Sequence, residues 1–326
     1  MTYAAKASQK SNYAASVLES IAKNTGQIFH TAFQPVCTFL QGGLPCSGNI
    51  LELHFNRDDG WFDFACRINK QFDAPFLSRE LSFPGMPPRI RQGYDQLITP
   101  PSGDFAFGIE NVWFEYDLPV SAYPAVFFDL YRRQHFCYAE TFDALRSVGQ
   151  LFHYPVNNAI LPFLQKVQAN GLRTVYYGFM FSRNTQAVRM TIDGIGCSNL
   201  VSVLKTIGWD GNYQWIKEWQ RKYQSNVSKI VLAIDHDKKL GNKLGIEVFS
   251  DEPSSLTTLI RAYISQKQYS FLQEWEGEIV PENSLKEKLT LLHNREITHI
   301  CKRINHIKFT VDANQVTHKA YLYYCF

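Results

Sequence analysis

Apolar and polar residues alternate in ten short runs of the chain, and the runs form five close pairs. The pairs are 49–55 with 61–69, 111–118 with 124–131, 174–182 with 187–193, 229–237 with 245–250, and 306–311 with 319–326. A period of two predicts strands. Elsewhere the apolar spacing changes to three and four residues, which predicts helices over 11–23, 140–148, 157–170, 199–207, 213–223, 254–265 and 284–294. The clearest is 157–170, where Ile160, Leu161, Phe163, Leu164 and Val167 share a face and Gly171 supplies a stop. The aromatic segment 269–275 fits neither period cleanly. No stretch of sequence repeats literally; what recurs is the order of elements.

The segments 41–48 and 100–103 read as Gly- and Pro-containing connectors, and 74–91 mixes a short helical pattern with Pro84, Pro87 and Pro88; neither 74–91 nor 100–103 has the length or polarity of an interdomain linker. Residues 1–10, small and polar, read as a flexible N-terminus, so a single domain is expected over 11–326. Ten antiparallel strands interleaved with helices predict an α+β fold, a ten-stranded antiparallel barrel surrounded by helices. The competing arrangement is an open sheet with one wet face.

Parity separates the two faces of each strand. Phe62, Phe64, Cys66 and Ile68 oppose Trp61, Asp63, Ala65, Arg67 and Asn69; Val188, Met190 and Ile192 oppose Arg189, Thr191 and Asp193. Ile307, Phe309 and Val311 oppose His306, Lys308 and Thr310, and Ala320, Leu322, Tyr324 and Phe326 oppose Lys319, Tyr321, Tyr323 and Cys325. With the greasy face toward the helices, Arg67, Arg189, Lys308 and Lys319 turn into the lumen. Glu52 and His54, Trp113 and Glu115, and Glu247 join them. Cations converging with tyrosine hydroxyls suit a compact polyanion such as diphosphate.

The bulk numbers narrow the classes. A hydrophobic share of 45% with 19% charged residues fits a globular core. A formal charge of +3, with no basic run, gives no electrostatic argument for nucleic acid. No apolar run approaches the roughly 20 residues that span a bilayer. The seven cysteines form no CxxC pair and no zinc spacing, and the N-terminus lacks a signal-peptide pattern. A reduced, soluble, cytoplasmic protein with buried thiols is expected.

The element order resembles that of the ABBA-type prenyltransferases, whose α-β-β-α units close a ten-stranded barrel around prenyl diphosphate and acceptor. Phe64-Ala65-Cys66-Arg67, Ala187-Val188-Arg189-Met190-Thr191-Ile192 and Tyr321-Leu322-Tyr323-Tyr324 are most similar to the cyanobactin peptide prenyltransferases. The resemblance implies that an isoprenyl group passes from its diphosphate, the co-substrate, to a peptide side chain or an aromatic small molecule. Arg67, Arg189, Lys319 and Tyr321 would hold diphosphate with Lys308 and Tyr323, and Glu52 would position the acceptor. Trp113, Tyr176, Glu247 and Phe249 would line the substrate site. Mg²⁺ is admissible beside the diphosphate, but no dedicated metal ligand set is visible. Two departures stand out: the fourth strand offers Asp129 and no base, and the eighth offers Glu247.

Other signatures are absent. There is no DDxxD pair, phosphate loop, HExxH, GxSxG or dinucleotide glycine pattern. Asp58-Asp59-Gly60 reads as a hairpin turn. In Asp235-His236-Asp237, strand parity turns His236 away from both aspartates, against a metal site. Two alternatives stay open. One is a non-catalytic barrel that binds a peptide or hydrophobic ligand; the other is a peptide-modifying enzyme of different chemistry, centred on Glu247 or His306. Donor chain length, the acceptor and the oligomeric state are not legible.

Overall fold

The computed structural model describes residues 13–25, 30–41, 46–55, 61–69, 87–98, 109–118, 123–130, 137–183, 185–227, 229–250, 252–313 and 315–326. Strands β1 (Gly48–His54) and β2 (Trp61–Asn69) form the first pair, β3 (Asn111–Tyr116) and β4 (Ala125–Phe128) the second, β5 (Arg173–Phe179) and β6 (Val188–Ile195) the third. Strands β7 (Lys229–His236) and β8 (Leu240–Phe249) form the fourth, and β10 (Ile300–Val311) and β11 (Val316–Cys325) the fifth. Neighbours pair antiparallel around the ring, and β11 bonds to both β10 and β1, which closes it. The result is a closed ten-stranded barrel, the ABBA architecture that the element order predicts. One strand is additional: β9 (Gly277–Ile279) pairs with Ile300–Lys302 of β10, beyond the Ile307–Val311 stretch that β8 holds.

Alternation dictates the wall. Phe62, Phe64, Cys66 and Ile68 are all buried on the outer face of β2, as are Val188, Met190 and Ile192 on β6 and Ile307, Phe309 and Val311 on β10. Helices cover them. The helix α1 (Tyr13–Asn24) is followed by α2 (His30–Leu40), whose Phe33 and Phe39 meet Phe62 and Phe64. The periodic reading did not include α2, which carries Pro35 within it. Between the second and third pairs, the predicted helix over 157–170 is a 3₁₀ turn (Asn158–Ile160) followed by an α-helix (Leu161–Ala169).

The ambiguous 269–275 segment lies within a helix, Gln266–Trp275. Ser265 accepts from the Gln268 amide while the Gln268 side chain accepts from the Ser265 N–H, a reciprocal cap that fixes the start. A helix over Leu200–Ile207 ends on Gly208 at φ 83°, a left-handed stop that glycine tolerates.

Several strand bounds and the register at four places differ from the periodic reading. β8 starts at Leu240, not 245, and β10 at Ile300, not 306. Register shifts between Thr174 and Tyr176 and between Ile304 and His306 each interrupt strict alternation. The expected N-terminal segment 1–10 and the Asp58-Asp59 turn lie outside the described residues. All seven cysteines are free; burial holds for Cys37, Cys46, Cys66 and Cys197, but Cys137 and Cys301 are exposed and Cys325 is half-buried. Cys137 sits outside the core, immediately before the helix Tyr138–Leu151. Among the described residues no helix is long and apolar enough to cross a membrane.

Phe309 is fully buried against Trp219, Tyr223, Tyr263 and His318, where the barrel wall meets the helix layer. Phe309→Ala should cost about 3–5 kcal/mol in urea unfolding, as large core truncations do. A loss under about 1 kcal/mol would show that this interface carries little of the fold.

Candidate active site

The lumen holds a cavity of ≈ 390 Å³. Glu52, Arg67, Arg189, Lys308, Tyr321 and Tyr323 line it, together with the expected walls Trp113, Tyr176, Glu247 and Phe249. The β5 bulge places both Val175 and Tyr176 on the cavity. Lys319 faces a second chamber of ≈ 70 Å³ with Arg183, Arg189, Lys243 and Lys308. Against five cations, this chamber shows the carboxylates Glu115 and Asp235. The two spaces share a wall of Glu115, Arg189, Ala233, Lys308 and Tyr321.

The cations do not form one ring. Arg67 is level with Gly48 on β1 and Lys319 with His54, six residues along the strand, or ~20 Å. Arg67 lies against Trp113 and bonds the Tyr323 hydroxyl at 3.2 Å, with no carboxylate in ion-pair range among the described residues. Gly48 makes room: a Cβ there would sit 2.9 Å from the Tyr323 hydroxyl and 3.1 Å from Arg67 Nε. At the other end, a Cβ on Gly245 would come within 2.6 Å of Lys308 Cε. Both glycines therefore leave space for the polar side chains that cross them.

Most inner cations are already paired. Arg189 grips Asp235 with two bonds of 2.7 and 2.9 Å, and Lys308 reaches Glu247 at 2.9 Å. Lys319 reaches Glu52 at 2.9 Å and Asp63 at 3.5 Å, while His54 meets Asp63 at 2.6 Å. Arg183 lies 3.4 Å from Glu115 and 3.6 Å from Asp117. The departures noted in sequence have structural reasons. Glu247 neutralises Lys308, and Asp129 accepts from the backbone of Glu110 and Asn111 and from the Asn111 amide.

These neighbours set the protonation states. Burial would raise Glu52, but Lys319 and Lys308 hold it down to about 2. Glu115 goes the other way: burial, then the charge of Glu52, push it up to about 7 despite Arg183. Burial raises the Tyr321 hydroxyl well above its ordinary value, and the Tyr323 hydroxyl to about 12, so both stay neutral donors. Glu115 is thus a carboxyl that exchanges a proton near neutrality, the range in which general bases work well.

The fit of a metal is poor. Glu52, His54 and Asp63 bring one donor atom each within 4.8 Å of one another. The Lys319 ammonium sits between two of them, so a cation already occupies the charge these groups offer. Mg²⁺, which needs near-octahedral oxygen ligation, is not served by this set. His236 is turned outward onto Phe163, away from the Asp235 that holds Arg189.

Sequence reasoning placed Glu115 in the lumen without giving it a role, and missed Arg183, Lys243 and Arg303. Lys243 and Arg303 lie on the early turns of β8 and β10 that the alternation did not reach. Arg183 follows β5 in a turn, where parity has no meaning.

No model of a known protein family matches the chain, and no curated protein matches it in sequence. Among solved structures, it is similar over 97% of its length to 5-dimethylallyltryptophan synthase from Streptomyces coelicolor, at 11% identity and a TM-score of 0.49, covering 97% of that chain. A second is PriB in a binary complex with product diphosphate, at 9% identity and a TM-score of 0.47, covering 97% of this chain and 95% of that one. The strand pairing itself, not these likenesses, defines the architecture.

Because the folded chain keeps the Glu115 proton up to about pH 7 and the unfolded chain releases it near 4.5, this group's share of stability falls as pH rises through that window. The share is on the order of 3 kcal/mol. Glu115→Gln should flatten that fall in urea titrations between pH 4.5 and 7.5. An unchanged pH slope would place the Glu115 carboxyl at an ordinary value.

Proposed function

We propose that the protein transfers an isoprenyl group from its diphosphate to an aromatic or nucleophilic side chain of a peptide, or to an aromatic small molecule. One observation carries this reading: a small chamber lined by five cations adjoins a larger cavity walled by Trp113, Tyr176 and Phe249. Diphosphate suits the first space. The alkyl chain and acceptor suit the second.

In this reading Arg183, Arg189, Lys243, Lys308 and Lys319 hold the diphosphate, and the Tyr321 hydroxyl donates to it from the shared wall. Each charge-assisted contact stabilises the leaving group by roughly 1.5–3 kcal/mol. As the allylic C–O bond breaks, its electron pair stays on diphosphate and the carbon becomes cationic. Aromatic faces shelter such a cation through their negative quadrupole, and the barrel wall keeps bulk water away. The acceptor's electron pair then forms the new bond to carbon. Its displaced proton passes to Glu115, which is partly ionised at neutral pH. Glu52, kept anionic by Lys319, orients the acceptor. Arg67 and Tyr323, at the far level of the barrel, border the acceptor's end of the cavity.

The extent of internal pairing favours a second reading. Arg189, Lys308 and Lys319 each have a carboxylate partner, so a barrel that binds a peptide or hydrophobic ligand without chemistry would also be electrostatically complete.

Mass spectrometry after incubation with dimethylallyl or geranyl diphosphate and a panel of peptides and aromatic acceptors separates the two. Prenyl-sized mass gain is expected, and Lys243→Ala should raise the donor KM at least tenfold while leaving the acceptor KM nearly constant. If no donor gives a mass gain and calorimetry detects acceptor but no diphosphate binding, the non-catalytic barrel is correct.

A further inference from the structure

One buried side chain in the lumen has no part in the reaction described above. His306 is 6% exposed and lines the larger cavity. It does so because β10 carries an extra residue between Ile304 and His306, and such a bulge re-aims the side chains beyond it. Tyr321 stacks on its ring with centroids 4.0 Å apart and planes 19° apart, and Phe249 lies 4.8 Å away. These rings fix the imidazole plane and leave its edge to make polar contacts.

The edge has a defined polarity. The Asn305 amide donates to Nδ1 over 2.9 Å, so the ring proton sits on Nε2. That Nε2–H is buried and finds no hydrogen-bond partner among the described residues. Glu247 Oε2 is 4.0 Å away, too far for a hydrogen bond, and Glu247 is engaged by Lys308. Burial holds the imidazole down to about 4 against the pull of Glu247, which keeps the ring neutral at neutral pH. Native proteins seldom leave a buried donor unused, and in a ligand cavity the missing acceptor is one the ligand supplies.

We infer that His306 Nε2–H is a fixed, neutral donor to a carbonyl oxygen of the acceptor substrate. A neutral donor in a tight aromatic clamp suits an uncharged oxygen, whereas diphosphate is served by the cations of the neighbouring chamber. The register adds a spacing. His306 pairs with Tyr321 and Tyr321 with Glu52, so the two polar groups stand two strands, ~10 Å, apart at the backbone. Glu52 Oε1 is also buried with no hydrogen-bond partner among the described residues. The acceptor therefore carries an N–H or O–H toward Glu52 and a carbonyl oxygen toward His306. This rests on the acceptor lying in the larger cavity, as proposed above. Peptide amides and ring carbonyls both offer that oxygen.

Paired probes test it: acetyl-tryptophanamide against indole for the peptide source, and 4-hydroxyacetophenone against phenol for the ring source. The wild type should prefer the carbonyl-bearing member of at least one pair by roughly tenfold in kcat/KM, the effect of one hydrogen bond. His306→Phe should collapse that preference toward unity, chiefly through KM, and His306→Gln, which keeps a donor, should restore part of it. Whichever pair responds identifies the source. A binding readout is independent of turnover: the ¹⁵N–¹H signal of His306 Nε2 should shift when acetyl-tryptophanamide or 4-hydroxyacetophenone saturates the protein, and not with indole or phenol. Shifts without any prenyl transfer would sink the proposed reaction and leave the donor role standing. A preference that survives in His306→Phe, or a signal indifferent to every probe, would overturn the inference.

Discussion

Charge buried inside a barrel must be compensated, and this constraint organises the lumen. Taking an ion out of water costs several kcal/mol unless a partner of opposite sign is held at bonding distance. Arg189 meets that demand with Asp235, Lys308 with Glu247, and Lys319 with Glu52 and Asp63. The closest contact of each cation joins neighbouring strands, so closing the ring and neutralising its interior are one event. Lys319 and Glu52 are 267 residues apart in sequence, yet β11 and β1 bring them side by side.

The same constraint gives the interior its division of labour. At the level of Arg67, aromatic side chains dominate, and the guanidinium lies over the Trp113 and Tyr323 rings. Where Lys243 and Arg183 join Arg189, Lys308 and Lys319, five cations line one small space whose lining holds two carboxylates, Glu115 and Asp235. Glu115 borders both spaces, and burial with the nearby Glu52 charge outweighs Arg183 at this carboxyl.

What was legible in sequence is what is local. Side chains of one strand report their own faces, so Phe62 and Phe64 outward and Arg67 inward follow from alternation alone. Strand ends and bulges are not encoded that way. The early residues of β8 and β10 lack a sustained apolar alternation, so Lys243 and Arg303 were lost with them. The helix Gln266–Trp275 hid behind aromatic residues, although its Ser265–Gln268 cap was readable. Pairing between distant carboxylates and cations was beyond reach, because it depends on which strands become neighbours. Hence the cations expected to share one diphosphate are divided between levels of the barrel, Arg67 with Tyr323 and Lys319 with Glu52.

The seam between β8 and β10 is fastened unevenly. Five residue pairs join the two strands from Ile307 to Val311, but beyond the bulge, among the described residues, the three residues of β9 continue the sheet on that side of β10. Few backbone bonds hold that short flap, and weakly bonded segments are the first to open. Near Arg303, at the end of the barrel where β1 begins, the wall beside β10 therefore rests on that flap, and its opening there would leave the β8–β10 pairing intact.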